Sequence, residues 1–426
     1  MKKMEVSRRQ FIKSSSVLAA GAMVAPYVIT SHAAPVADLK VRIGLVGCGG
    51  RGQGATWDAI NGAKEHGIKD IKVVAVGDVF EERAKSFAGR EGLNADKNDK
   101  IEACFGFDNF KKVIDNPEVN YVILATPPGF RAQHFAYSVE KGKNTFTEKP
   151  VCVDSATARL FLKAAEESEK KGLKIVAGTQ RRHQQGYVET VEQLKNGVIG
   201  DVLSMACYWN QGNIWNNPWD INKSDLENQL RNWYHYLWLC GDHIVEQHVH
   251  NVDVCNWVKG THPVRAYAMG GREALKGPGE IWDHFAVEYE YADGSRMYSQ
   301  CRQIDNTDSN VSEVIVGTNG TSNPAGTITF KTGKVWRATQ GRNPYVQEHM
   351  DLMTAIAENK KVNEAKQVAE SCITAIMGRE SAYSGRKTSW EDVIEGEQNL
   401  MPENLVDLNT PIKPWKAPVP NTYELS

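Results

Sequence analysis

Gly47-Cys48-Gly49-Gly50-Arg51-Gly52 sets three glycines at the first, third and sixth places of a turn that follows an apolar run and precedes a helical pattern. A turn of this kind serves a pyrophosphate. Gly47 permits the tight bend, Gly49 lets the backbone approach the phosphates, Gly50 and Arg51 complete the loop, and Gly52 lets the helix pack close to the strand. The unpaired amides at the helix start add hydrogen bonds and positive potential. Asp78 closes the next strand, 26 residues past Gly52, a little beyond the roughly 20 usual for a ribose-binding carboxylate. There it would accept hydrogen bonds from the adenosine ribose and repel a 2′-phosphate, so NAD is expected rather than NADP. Its alternative role is to cap the helix that opens near Phe80-Glu81-Glu82.

Two further strand ends carry polar residues where open α/β sheets place their ligands: Thr126-Pro127 and Glu148-Lys149-Pro150. Lys149 in isolation would read as a solvated surface lysine. Its place at the nicotinamide end of the sheet points instead to proton or hydroxyl chemistry.

Residues 241–253, Gly-Asp-His-Ile-Val-Glu-Gln-His-Val-His-Asn-Val-Asp, gather three histidines and three acids. On a continuous helix Asp242, Glu246 and His250 share one face, with His243 beside Glu246. A carboxylate one turn from an imidazole can hold its tautomer and tune its basicity, which suits proton transfer. His243, Glu246 and His250 could also face a zinc ion, but neither HExxH nor HxxEH is met, so no metal is assigned. A satisfied polar helix interface is the plainer alternative. Just upstream, Trp209, Trp215, Trp219, Trp233, Tyr234, Tyr236 and Trp238 crowd one segment beside Asn and Gln. Aromatic faces next to amides suit a sugar ring, although several must be core.

The elements that must position these groups divide the chain. Strand-like runs at 41–46, 71–77, 121–125, 144–147 and 174–178 alternate with amphipathic helices, which predicts a doubly wound parallel sheet. Beyond Arg182 the pattern becomes α+β. A helix at 184–196 and a strand at 202–209 precede an irregular stretch at 210–232 and a long helical segment reaching about 258. Strands follow at 264–269, 284–291, 296–301, 312–316 and 326–330, with Asp293-Gly294 as a hairpin turn. Helices at 346–358 and 364–383 close the pattern. The expected fold class is therefore α/β, an N-terminal Rossmann sheet plus a C-terminal α+β domain with a mostly antiparallel sheet.

At 426 residues the chain is long enough for two or three domains, and 41% hydrophobic with 24% charged residues is ordinary for a soluble protein. Ser7-Arg8-Arg9-Gln10-Phe11-Ile12-Lys13, an apolar run to Ile29 and Ser31-His32-Ala33 read as a twin-arginine export signal with its cleavage site. The expected divisions are 1–33 signal, 38–182 nucleotide-binding domain, 183–395 substrate domain and 396–426 tail. The apolar run is shorter than the ~20 residues a spanning helix needs, so no stable membrane insertion is expected. Export of a folded chain fits a redox cofactor loaded in the cytoplasm, which makes the expected location periplasmic and the export machinery a partner. Signal removal takes away five basic residues and one acidic residue, leaving the chain more acidic than its formal −2. Nucleic acid is not an expected partner. The eight cysteines show no CxxC pair.

These residues, with Gln180-Arg181-Arg182, Asp253, Trp257 and the stretch from Gly378-Arg379 to Trp390, make the chain resemble the Gfo/Idh/MocA oxidoreductases. The resemblance implies a Rossmann domain joined to a domain whose open sheet mediates oligomerisation, a small-molecule sugar, glycoside or cyclitol substrate, and in some exported relatives a tightly held NAD(P). It places the family's motif lysine on Lys149 and its helix histidine on His250. Glu246 stands where an aspartate is usual, and Arg131 where many relatives carry histidine. The implied chemistry is hydride transfer between a secondary hydroxyl and nicotinamide, with His250 as base, Lys149 as polarising donor or relay and Glu246 beside them. Arg182, Trp233, Tyr234 and His243 are the expected substrate contacts. His250, starting near ~6.5, would need little adjustment to act as the base. Alternatives on this fold are glycoside cleavage through transient oxidation and elimination, and a sugar sensor without turnover.

Overall fold

The structure is a computed structural model that describes residues 36–412, 414, 416–420 and 422–424; the expected signal lies outside these residues. Strands β1 (Val41–Val46), β2 (Ile71–Asp78), β3 (Glu102–Phe105), β4 (Tyr121–Leu124), β5 (Asn144–Thr147) and β6 (Ile175–Ala177) form a parallel sheet in the order β3-β2-β1-β4-β5-β6. Every residue of β4 is buried, as a central strand covered on both faces requires. The covering helices are α1 (Gly50–Glu65), α2 (Glu81–Ala88), α3 (Asn109–Asp115), α4 (Pro128–Glu140) and α5 (Ser155–Lys170). Asp154 and Thr157 cap α5 reciprocally. Edge strand β3 was not expected from sequence because Cys104 is its one buried residue, which leaves no apolar run to read.

The second half opens with α6 (Gln185–Lys195) and β7 (Val202–Gln211). Inside the stretch expected to be irregular stands a short helix, α7 (Asp225–Arg231), and the predicted long helix is broken into a 3-10 turn at Trp233–His235, α8 (Leu237–Cys240), α9 (His243–Glu246) and α10 (Val249–Lys259). The break before α9 has a clear cause. Gly241 and Asp242 both take positive φ, 78° and 77°, and the Asp242 carboxylate accepts from the amide of Trp282 and the hydroxyl of Tyr383. Those core partners outweigh the strain of a left-handed aspartate.

β8 (Arg265–Gly271), β9 (His284–Glu290), β10 (Arg296–Gln303), β11 (Asn310–Gly317), β12 (Gly320–Asn323), β13 (Thr327–Phe330) and β14 (Val335–Arg337) follow, then α11 (Pro344–Ala357), α12 (Ala365–Ser384), β15 (Thr388–Ser389) and α13 (Trp390–Glu395). The nine-stranded sheet runs β14-β13-β12-β11-β7-β10-β9-β8-β15 and is antiparallel except where β10 lies parallel to β7. Met205, Cys207, Val287, Tyr289 and Met297 point into the core, whereas Tyr267, Met269 and Tyr298 stay exposed on the other face. Alternation of this kind leaves one face open.

The two halves interlock more than a simple division predicts. α11 returns to the parallel sheet, where Tyr121 Oη and His349 Nδ1 lie 2.8 Å apart and Met350 packs so close to α1 that a Cβ on Gly62 would meet it at 3.1 Å. The segment after α13 is also packed. Ala156 donates to the Gln398 carbonyl at 3.0 Å, and Leu400, Met401, Leu405 and Leu408 join Phe80 and Trp238 in one apolar cluster. No helix among the described residues is long and apolar enough to cross a membrane.

Candidate active site

A cleft of about 580 Å³ opens along the carboxyl ends of the parallel strands. At its floor Gly47 has φ +100°, and a Cβ on Gly52 would sit 1.8 Å from the Gly47 carbonyl oxygen. Only glycine allows that approach. Around Gly49 and Gly50 the space a Cβ would take is empty to 4 Å, and Gly49 caps α1 without any side-chain partner. An open cradle of amides at a helix start fits a pyrophosphate. Asp78 lines the cleft while its two oxygens accept from the amides of Cys48 (2.8 Å) and Phe80 (3.0 Å). It therefore ties the glycine turn to the end of β2 and also faces the ribose position. The donor set fits a dinucleotide.

Arg51 lines the same cleft, but its guanidinium is drawn to carboxylates. It pairs with Glu148, with Asp58 at 3.0 Å and with Glu348 at 3.2 Å, and lies 4.9 Å over the Tyr345 ring. Burial, then Glu148, push Glu348 well above the usual carboxylate range, and Arg51 opposes them. Sequence spacing gave no sign of Glu348 or Tyr345, which arrive on α11 from near the other end of the chain.

Thr126 and Pro127 line the cleft beyond β4. Arg131 donates to the carbonyls of Thr126 and Pro150, tying together the ends of β4 and β5. An arginine can span both where a histidine could not, which gives the departure at 131 a structural account. Its burial lowers it to about 10. His134, one turn further along α4, is 3.2 Å from Thr126 Oγ1 and stacks on Phe110. Burial, then Arg131, hold it neutral, near about 3.

Lys149, Glu246 and His250 come from different halves and line one wall. Lys149 Nζ donates to the Glu246 carbonyl and to Glu246 Oε1 at 3.1 Å. Glu246 Oε2, His250 Nδ1 and Gln180 Oε1 are buried without a protein partner. Three such atoms on residues lining one cleft are acceptors and donors open to a polar ligand. Burial pushes the Glu246 carboxyl up, with Lys149 opposing. His250 stacks on Trp209 with ring centroids 5.7 Å apart. Burial first, then Lys149, Arg181 and Arg51, drive it well below the ordinary histidine range. The expectation that this imidazole needs little adjustment is thus corrected: it is firmly neutral, a proton acceptor of low basicity.

Of the expected substrate contacts, Trp233 and Tyr234 line the cleft. His243 does not; it sits behind Tyr234, with Nδ1 3.1 Å from the Tyr234 hydroxyl, and burial lowers it to about 3. Because α9 and α10 are separate, His243 and His250 diverge instead of sharing a face. Among the described residues no group of three or more His, Cys, Asp or Glu side chains is placed to hold a metal. Arg182, also expected at the substrate, makes a two-pronged bond to Asp253 at 2.8 and 2.9 Å and lies over Trp257. Its neighbour Arg181 instead lies 5.7 Å over the ring of Trp209, which stacks on His250, and is anchored by Glu313 at 2.5 Å. Trp238 and Tyr236 are core. Gln247, inside the 241–253 motif, also lines the cleft, as do Arg83, Phe107 and Asn109, which no motif marked because their places depend on how the ends of β2 and β3 and the helices after them pack.

Residues 41–175 match the NAD-binding Rossmann fold of the oxidoreductase family Gfo/Idh/MocA, and residues 187–323 match the C-terminal domain of that family. Together the two cover more than half of the chain. The chain is 27% identical to Oxidoreductase P35 of Formosa agariphila over 39% of its own length and 46% of that protein. It is 24% identical to an inositol 2-dehydrogenase of Ralstonia nicotianae over 61% of its own length and 66% of that protein. The chain therefore spans about half to two thirds of these curated relatives. Among solved structures, a levoglucosan dehydrogenase complex with NADH superposes with TM-score 0.66 at 17% identity, covering 82% of this chain and 99% of that one. A scyllo-inositol dehydrogenase from Lactobacillus casei gives 0.61 at 19%, covering 82% and 98%. At these identities the likeness is one of fold.

Proposed function

The chain belongs to the Gfo/Idh/MocA oxidoreductase family, and from that premise we propose that it moves a hydride between a secondary hydroxyl of a sugar, glycoside or cyclitol and a tightly held NAD. The observation that carries the reading is that Lys149, Glu246 and His250 share a single cleft with Gly47, Gly49 and Asp78. When bound, the dinucleotide supplies the hydride acceptor or donor. The amides that follow Gly49 would hold its phosphates, Asp78 would accept from its ribose hydroxyls, and Thr126, Pro127 and Glu148 are the cleft residues that would serve its redox end.

The rest falls to side chains. The Lys149 ammonium, oriented by Glu246, donates to the substrate oxygen and stabilises negative charge developing there. His250, neutral and open at Nδ1, accepts the hydroxyl proton as the C–H bond breaks. Arg181, anchored by Glu313, adds positive charge that disfavours the protonated imidazole, so the proton is released to solvent once the hydride has left. Trp233 and Tyr234 give the ring an apolar wall.

The test uses the purified holoprotein. Hexoses, methyl glycosides and inositols are added singly while nicotinamide absorbance is followed, and product is identified by mass spectrometry. Reduction of bound nucleotide with at least one of them is the expected result. Binding without reduction or any product, across the panel, would instead favour a sensor. Cleaved glycoside without net reduction would mark internal return of the hydride.

The same reading extends to assembly and location. Tyr267, Met269 and Tyr298 give the open sheet face an apolar surface on which a second copy can seat, to be checked by light scattering of Tyr298→Lys. The Ser7–Lys13 stretch directs the folded chain to the periplasm, which fractionation of an Arg8→Lys, Arg9→Lys variant examines.

A further inference from the structure

The irregular stretch between β7 and α7 is held from beneath by buried side chains. His235 Nε2 lies 2.8 Å from the Trp215 carbonyl oxygen. The Asn217 amide donates to Asn232 Oδ1 at 2.7 Å, and Asn232 Nδ2 returns a bond to the Asn217 carbonyl at 3.1 Å. Asn228 exchanges a matching pair with Asp220, 2.9 Å each way. His235, Asn232 and Asn228 are themselves buried. The backbone around Trp215 is therefore fixed, yet its indole is 45% exposed.

That exposure falls at a defined place. Ile214 and Trp215 line the cleft that also contains Glu246 and His250. The rings of Tyr234, Trp233 and Trp215 follow one another with centroids 5.5 and 6.0 Å apart. Tyr234 is buried and Trp215 exposed, so the row leads from the interior of the cleft to its mouth. Exposed Asn213 and Asn216 stand on either side of Trp215 along the chain. A rigid apolar face bordered by amides is suited to a pyranose, whose C–H face stacks while its hydroxyls reach the edges.

We infer that the cleft takes a glycoside across two rings, one against Lys149 and His250 and the second against Trp215. The inference rests on the hydride-transfer reading for the inner ring only. Free monosaccharides then fill half of the site.

The experiment titrates holoprotein with matched pairs, each a methyl glycoside and a disaccharide bearing the same non-reducing sugar: methyl β-glucoside with cellobiose, methyl α-glucoside with maltose, methyl β-galactoside with lactose. Calorimetry gives the affinities. In at least one pair the two-ring ligand should bind about tenfold tighter or more, about 1.4 kcal/mol. Trp215→Ala should bring that ratio toward one, and Trp215→Phe should keep most of it, with unchanged melting temperatures reporting intact folding. Equal affinities within every pair, no binding by any ligand, or a ratio untouched by Trp215→Ala would overturn the subsite. Because binding is read separately from reduction, a sugar that reduces the nucleotide while the ratio stays at one removes only the subsite. A ratio that collapses in a protein with no turnover removes only the dehydrogenase.

Discussion

Lys149 is bonded twice to one residue, through the main-chain carbonyl of Glu246 and through its side-chain Oε1. That carbonyl is free because α9 ends at Glu246. The break in the helix therefore creates the acceptor that orients the lysine. An unbroken helix would have used the same oxygen internally.

Glu246→Gln keeps the shape and removes the charge that pairs with Lys149. Turnover is expected to fall by ~10²-fold while bound nucleotide is retained. Glu246→Asp keeps the charge on a shorter arm and should lose less. Nucleotide content by mass spectrometry, set beside kcat, separates the two effects, and full activity in Glu246→Gln would take the pair out of the chemistry.

His250 is depressed well below its ordinary value by burial and by nearby cations. Its neutral form persists on acidification, so the acid limb of kcat/KM should lie below about 6.5, the free histidine value. The stability consequence has a definite sign. A histidine that binds its proton more readily when unfolded adds no penalty above that value and a growing one as pH falls beneath it. His250→Asn should thus flatten the loss of melting temperature between neutral and mildly acidic pH. An acid limb at or above the free value, abolished in the same variant, would contradict this.

The glycines of the turn should divide by mechanism. Gly52→Ala forces a methyl against the Gly47 carbonyl, with an expected stability loss of about 1–3 kcal/mol and loss of nucleotide. Gly49→Ala meets open space, so unfolding should change by no more than about 0.5 kcal/mol. That open space lies in the cleft proposed to take the phosphates, so nucleotide affinity should still drop. Denaturant unfolding paired with nucleotide titration measures both.

Arg182 offers a test of position against motif. Its guanidinium is spent on Asp253, which also accepts from Ser371 at 2.7 Å. Arg182→Ala leaves that carboxylate buried with one partner fewer and should cost about 3 kcal/mol. KM for any substrate found should hardly move. A large KM change with an unaltered melting temperature would restore Arg182 to the substrate.

Much of the architecture could be read along the chain because it rests on local rules. β1, β2 and β4 are apolar runs bounded by turns, Gly47 and Gly52 meet backbone constraints within a few residues, and Asp293-Gly294 closes a hairpin between neighbouring strands. Each follows from sterics or burial acting over a few residues. What tertiary contacts alone decided lies where distant groups compete for the same atoms. Trp282 and Tyr383 pull Asp242 out of a helix that local periodicity favours, and a second break after Glu246 frees the carbonyl that Lys149 takes. Glu348 travels nearly three hundred positions to share Arg51 with Glu148. Arg181 and Arg182, adjacent and alike as letters, part ways because one pairs with Glu313 on β11 and the other with Asp253 on α10. A buried charge goes to the partner that satisfies it, and only the assembled fold determines which partner is within reach.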